Sequence, residues 1–175
     1  DLHEFGEFFA AFLETFAPAA ALVYLPDVAR LEWAYHQVFH AARHPPLDLA
    51  ALAQAPVEQQ GALRFQLHPA LRLLKSAFPI LRIWQVNQDH YTGDPSVDLT
   101  GGGIKLLVFR RETLDIEFHT LADGEFSLLQ ALAGDFDFAT ACEQALAAQP
   151  SFDLPACFRR HILQGVLVAF HLPDS

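Results

Sequence analysis

The chain has no methionine and only two cysteines, Cys142 and Cys157, in 175 residues. Translation begins with Met and this sequence begins at Asp1, so we expect a piece of a longer protein. The cysteines form no CxxC pair and sit among apolar helical neighbours. They read as free thiols packed as small hydrophobes, and they point to a cytoplasmic location. A disulfide would need their two helices to meet. Long apolar runs are also missing: the longest, residues 17–25 and 165–170, fall far short of the ~20 residues that span a bilayer. No basic segment precedes an apolar one, so neither a signal peptide nor a membrane contact is expected. Basic residues are scarce, with 11 Lys and Arg against 21 Asp and Glu and a net charge of −10. Nucleic-acid binding depends on cations that neutralise phosphates, so nucleic acid is an unlikely partner.

What the chain has in quantity is apolar surface. Hydrophobic residues make up 52% of it, sixteen of them Phe, enough to build a core. Residues 3–16 predict an amphipathic helix in which Phe5, Phe8, Phe9, Phe12, Leu13 and Phe16 form one broad stripe, stopped by Pro18. A second helix is expected from Pro26 and Asp27 to about Ala42, with Leu31, Tyr35, Val38 and Ala42 inward. His44-Pro45-Pro46 ends it, and a short helix over 47–54 follows, capped near Asp48. At Gly61 the period changes to two: Leu63, Phe65 and Leu67 alternate with polar residues up to Pro69, the pattern of a half-buried strand. Residues 70–76 read as a turn of helix and 89–103 as a loop; 78–88 fits either a helix or a strand, and the helix is favoured.

The last seventy or so residues form the most readable unit. Residues 104–111 are apolar on both faces, as a central strand is. Glu112-Thr113 is expected to turn the chain. In 114–119, Leu114, Ile116 and Phe118 are expected inward, with Asp115, Glu117 and His119 outward, as in a strand at a sheet edge. Thr120 to Asp123 has capping-box spacing. Helices then begin near Asp123 (Phe126, Leu129 and Leu132 inward, Gly134 at the end), Asp137 (Phe138, Ala141 and Leu146 inward) and Asp153 (Leu154, Phe158 and Ile162 inward), with Arg159, Arg160 and Gln164 accessible. A closing strand follows Gly165. This order is that of a winged helix-turn-helix, which either reads DNA or captures a peptide on a strand edge. Charge weighs against DNA: in 104–175 the five basic side chains, Lys105, Arg110, Arg111, Arg159 and Arg160, are outnumbered by acidic ones.

Other chemistry is thin. Glu32, His36 and His40 are spaced at i, i+4, i+8, which suits a shared metal, but without HExxH or a nearby Cys a polar helix flank is the plainer reading. Gly101-Gly102-Gly103 precedes a strand and lacks a following Lys-Ser/Thr, so it reads as a turn and no phosphate cradle. No Ser–His–Asp set or carboxylate pair stands out, and the chain is not expected to be an enzyme. The edge at 114–119 is the sharper candidate, because unpaired backbone groups there can accept an extended peptide as an extra strand. The helix over 154–164 would form the other wall, with Arg159 and Arg160 suited to an acidic peptide. The competing expectation is that residues 63–68 or 166–170 cover this edge.

Four stretches together resemble the HvfC/BufC-like proteins: Tyr24-Leu-Pro-Asp-Val-Ala-Arg-Leu-Glu-Trp-Ala, Leu67-His-Pro-Ala-Leu-Arg-Leu-Leu-Lys-Ser, Phe78-Pro-Ile-Leu-Arg-Ile-Trp-Gln-Val-Asn, and the strand 105–110. The family carries a DNA-binding-domain label, but fold alone does not set function. The resemblance implies a non-catalytic protein with no cofactor of its own. Its partners would be a multinuclear non-haem iron oxidase and a small Cys-containing precursor peptide whose cysteines the oxidase modifies into copper-binding or related groups. The C-terminal unit also resembles the PqqD-like peptide-recognition element. That likeness implies a leader peptide added to 114–119 and lying against 154–164, with Leu114, Asp115, Ile116, Glu117, Phe118, His119, Phe158, Arg159 and Ile162 as contacts. Trp33, His36 and His40 are candidates for the oxidase contact, though packing is the favoured role for that flank. The expected architecture is α+β: a helical part over 1–60, continuing a missing N-terminal segment, then a winged-helix-like domain over 61–175 with a small antiparallel sheet. The alternative function is a winged-helix DNA-binding regulator reading DNA with 154–164.

Overall fold

The computed structural model describes residues 2–111 and 113–172, with side chains from Gly6 onward; Phe5 of the expected stripe and Glu112 of the expected turn lie outside the described side chains. The fold is α+β with a helical N-terminal part. Helices α1 (Leu2–Thr15), α2 (Leu25–His40) and α3 (Leu49–Ala53) precede strands β1 (Arg64–Leu67) and β2 (Leu71–Ser76). Then come α4 (Ile80–Val86), β3 (Ile104–Arg110), β4 (Ile116–Thr120), α5 (Asp123–Ala133), α6 (Phe138–Ala148), α7 (Leu154–Leu163) and β5 (Leu167–His171). The strands form two antiparallel sheets, one ordered β2-β3-β4 and the other β1-β5.

Residues 71–76 are a strand, not the expected turn of helix. Leu71, Leu73 and Leu74 suit either structure locally, and pairing along the whole of β2, from Leu71 with Phe109 to Ser76 with Ile104, decides for the strand. This is a tertiary choice that periodicity over six residues does not resolve. β3 is the central strand, as its two apolar faces require. One face, through Leu106 and Val108, packs with Leu31, Ala34 and Val38 of α2, Ile80 of α4 and Ala70. The other face, through Leu107 and Phe109, packs with Phe126 and Leu129 of α5, Leu121 and Val166. The first of these clusters crosses residue 60, so the N-terminal helices share a core with the sheet.

Both ends of α2 are tied down. In its first turn Asp27 accepts a hydrogen bond from Ser76 Oγ at 2.6 Å, and Arg30 bridges Asp27 and Glu14. At its other end the buried Arg110 donates to the carbonyls of Phe39 and Ala41, the latter at 2.6 Å. Those carbonyls lie past the last intrahelical donor, and a guanidinium there also suits the negative end of the helix dipole. Because Ser76 pairs with the start of β3 and Arg110 is its end, α2 runs along β3 in the same direction.

The expected α1 stripe is split. Ala10 and Leu13, with Phe9, pack on Ala29 and Leu25 of α2, and Trp33 fills the space over Gly6. Phe8, Phe12 and Phe16 stay exposed, because one helix covers only part of so broad a stripe. On α2 the inward residues are Leu31, Ala34 and Val38; Tyr35 is half exposed, and Ala42 lies beyond the helix. Asp48, Asp137 and Asp153 cap α3, α6 and α7 through the N–H groups of Ala51, Thr140 and Ala156. The expected capping box at Thr120 does not form: Thr120 ends β4, and α5 starts behind Ala122 without a side-chain cap. On α6 the inward residue is Ala145, not Leu146, which is exposed. Gly165, at φ +73°, turns the chain out of α7 in a conformation that glycine adopts without strain.

Arg110→Met keeps most of the volume and removes the donors. It should cost roughly 2–4 kcal/mol, because two helix-end carbonyls lose charge-assisted bonds. Arg159→Met, at an exposed site, should be nearly neutral. Urea denaturation followed by circular dichroism checks both.

Candidate functional site

β4 is an edge strand: in its sheet only β3 pairs with it, with Leu107 opposite His119 and Phe109 opposite Glu117. Arg111 N–H donates to Asp115 C=O at 3.0 Å, and Leu121 N–H donates to Lys105 C=O at 2.8 Å. These bonds set the phase of the ladder, since hydrogen-bonded pairs alternate with non-bonded ones. The backbone groups of Asp115, Glu117, His119 and Leu121 therefore point to β3. Those of Ile116, Phe118 and Thr120 point away from it, and among the described residues none of those three N–H groups has a partner. The segments expected to compete for this edge pair with each other instead, as β1 and β5.

The strand is shorter than the expected 114–119. Leu114 is not inward: it is 54% exposed and takes φ +70° in the hairpin turn, its N–H donating to Arg111 C=O. A bulky residue in this conformation is unusual, and closing the short hairpin holds it there. Asp115 is exposed next to it. Ile116 and Phe118 do face inward, toward α2 and α4.

On that face α2 stands beside β4. Tyr35 stacks on Phe118 with ring centroids 6.2 Å apart, and Trp84 of α4 packs on both, at 5.7 Å from Tyr35 and 5.0 Å from Phe118. Phe39 lies exposed one turn further along α2. On the other face Glu117 holds the centre: Arg111 Nε is 2.8 Å from one carboxylate oxygen and His119 Nε2 is 2.9 Å from the other. The Arg111 guanidinium, with a lesser contribution from His119, holds the Glu117 carboxyl below its ordinary value against the opposing effect of burial.

The expected second wall is not at β4. α7 packs on α6 and β5, and its residues Phe158 and Ile162 belong to the core around Phe65 and Phe138. Arg159 is exposed, but Arg160 is engaged by Glu125 of α5 at 2.6 Å. The end of α7 and the turn after it, Ile162 to Gly165, face the hairpin across a cleft of about 430 Å³ that Arg110, Arg111 and Thr113 also line. The wall beside β4 is thus α2, and the residues that sequence reasoning missed are Tyr35 and Trp84. Tyr35 is an aromatic beside the Trp33/His36/His40 flank and Trp84 lies in the helix expected over 78–88, but nothing local places either against residue 118.

That flank is built by stacking. Trp33 lies 5.2 Å from His36, and His36 lies 4.4 Å from His40. Trp33 also covers Gly6 of α1, which gives it the packing role. Glu32, His36 and His40 do not converge: among the described residues, the group of three potential metal ligands lies elsewhere, at Glu125, Cys157 and His161. Both cysteines are free, and burial pushes their thiols up, Cys142 to about 11 and Cys157 to about 12. Neither is therefore a reactive thiolate at neutral pH. No described helix is long and apolar enough to cross a membrane.

Because the folded-state pKa of Glu117 lies below its unfolded value, its contribution to hairpin stability is complete above the unfolded value. It is lost as pH falls through the folded one. In a carbon-detected NMR titration, Glu117 should titrate below a peptide glutamate, and Arg111→Ala should move it back up. No family model matches this chain, and neither does any curated protein.

Proposed function

We propose that this chain is a non-catalytic binding protein that captures an extended peptide as a fourth strand on the outer edge of β4. In this reading it presents a ribosomally made, Cys-containing precursor peptide to a multinuclear non-haem iron oxidase. The observation that carries the proposal is the row of outward backbone groups at Ile116, Phe118 and Thr120, uncovered by β1 or β5. Strand addition takes its affinity from such groups and its specificity from pockets for alternate side chains. Here one set of peptide side chains would lie along Tyr35 and Phe39 of α2, and the other along Glu117, His119 and Arg111. The identity of the peptide and of the oxidase rests on the family resemblance. The flank of α2 at the half-buried His36 and the exposed His40, close in sequence to Tyr35 and Phe39, is where the oxidase would meet a presented peptide.

The DNA reading is the weaker one. The helix it needs carries Phe158 and Ile162 into the core and has Arg160 bound to Glu125, on a chain of net charge −10.

Proline tests the edge directly. At residue 116 or 120 it removes an outward donor and spares the ladder to β3. Ile116→Pro and Thr120→Pro should each weaken binding of the precursor peptide roughly tenfold or more, on the scale of one main-chain hydrogen bond plus local fit. Binding to the unaltered protein should tolerate salt. The measurement is fluorescence anisotropy with a labelled peptide, alongside co-purification with the oxidase. If both proline variants bind as well as the unaltered protein, the edge is not the site. DNA affinity that falls with salt and with Arg159→Ala would replace this reading with the regulator.

A further inference from the structure

One buried polar cluster plays no part at the β4 edge. Cys157 and His161 stand one turn apart on α7, and Glu125 reaches them from the first turn of α5. Their donor atoms all lie within 4.8 Å of one another. His161 is 2% exposed. Its Nε2 lies 2.9 Å from Glu125 Oε1, but the ring is not aligned for a hydrogen bond, and neither ring nitrogen has a properly directed partner. Burying an imidazole in that condition costs roughly 1–3 kcal/mol, and a core position needing only bulk would be filled more stably by Leu or Phe.

We propose that Glu125, Cys157 and His161 form a binding site for a single divalent transition-metal ion of the Zn²⁺ type. A thiolate, an imidazole and a carboxylate are a mixed donor set that suits Zn²⁺ in tetrahedral coordination, with water in the fourth position. Mg²⁺ and Ca²⁺ take oxygen ligands and have no use for the thiol. On binding, the thiol proton leaves to solvent as the metal–sulfur bond forms. The cation takes over the Glu125 oxygen now shared with Arg160, whose side chain is half exposed and can swing into water. The metal would join α5 to α7.

Zinc competition against a chromophoric chelator, on the purified full chain, tests this, with Co²⁺ substitution as a second readout. One equivalent of Zn²⁺ per chain is expected. Cys157→Ser and His161→Gln should each lose affinity roughly tenfold or more. Cys142→Ser and His36→Gln should lose none, and Arg160→Ala should bind more tightly because it removes the competing cation. The Co²⁺ form should show a thiolate-to-metal charge-transfer band that Cys157→Ser abolishes. Absence of stoichiometric zinc, or binding that survives Cys157→Ser and His161→Gln, overturns the proposal. If circular dichroism shows that the two ligand variants are unfolded, the Co²⁺ spectrum of the unaltered protein decides, and a spectrum without the thiolate band overturns it.

Discussion

The buried guanidinium of Arg110 is the constraint from which the rest of the layout follows. It sits at the end of the central strand and closes the last carbonyls of α2. Ser76 and Asp27 hold the other end of the same helix. Between these two anchors α2 has no freedom to slide, so Leu31, Ala34 and Val38 fall over Leu106 and Val108. Tyr35, one residue beyond Ala34, is then placed against Phe118. A polar contact at each end thus sets the register of an apolar interface that burial alone would define only loosely.

The same placement shapes the exposed edge. Natural sheets protect edge strands by keeping them short and charged. β4 follows both rules, with five residues and a Glu117–His119–Arg111 cluster on one face. Three outward N–H groups are too few to hold a peptide by backbone bonds alone, since each contributes only about 0.5–1.5 kcal/mol net. Any strand added there needs side-chain contacts as well, and the aromatic wall of Tyr35, Phe118 and Trp84 offers apolar surface beside the edge. Tyr35 and Phe118 are more than eighty positions apart in the chain, and β3 and α2 bring them together.

The elements most legible in sequence were those with a local cause. The three aspartate caps at 48, 137 and 153 work through bonds to N–H groups three residues away, and Gly165 marks a turn by its own backbone freedom. The double-sided apolar pattern of β3 was equally readable. What failed depended on distant partners. Residues 71–76 became a strand because β3 offers six partners, and Leu114 left the strand because the hairpin closes through it. Phe158 and Ile162 were read correctly as inward, but the inside they face is the β1-β5 core around Phe65, which a helical stripe does not reveal.

Replacing α7 by α2 as the neighbour of β4 also changes the peptide chemistry in the proposed reading. Arg159 and Arg160 had favoured an acidic peptide, but Arg160 is taken by Glu125 and α7 belongs to another core. At β4 itself the Arg111 guanidinium on the charged face is matched by Glu117. The local field is therefore close to balanced, and a strongly acidic strand gains little there, the more so on a chain of net charge −10. Selection would rest on alternation: an aromatic or aliphatic side chain toward Tyr35 and Phe39, and a small polar one toward Glu117 and His119. That pattern also fits the geometry of an added strand, whose successive side chains point to opposite faces.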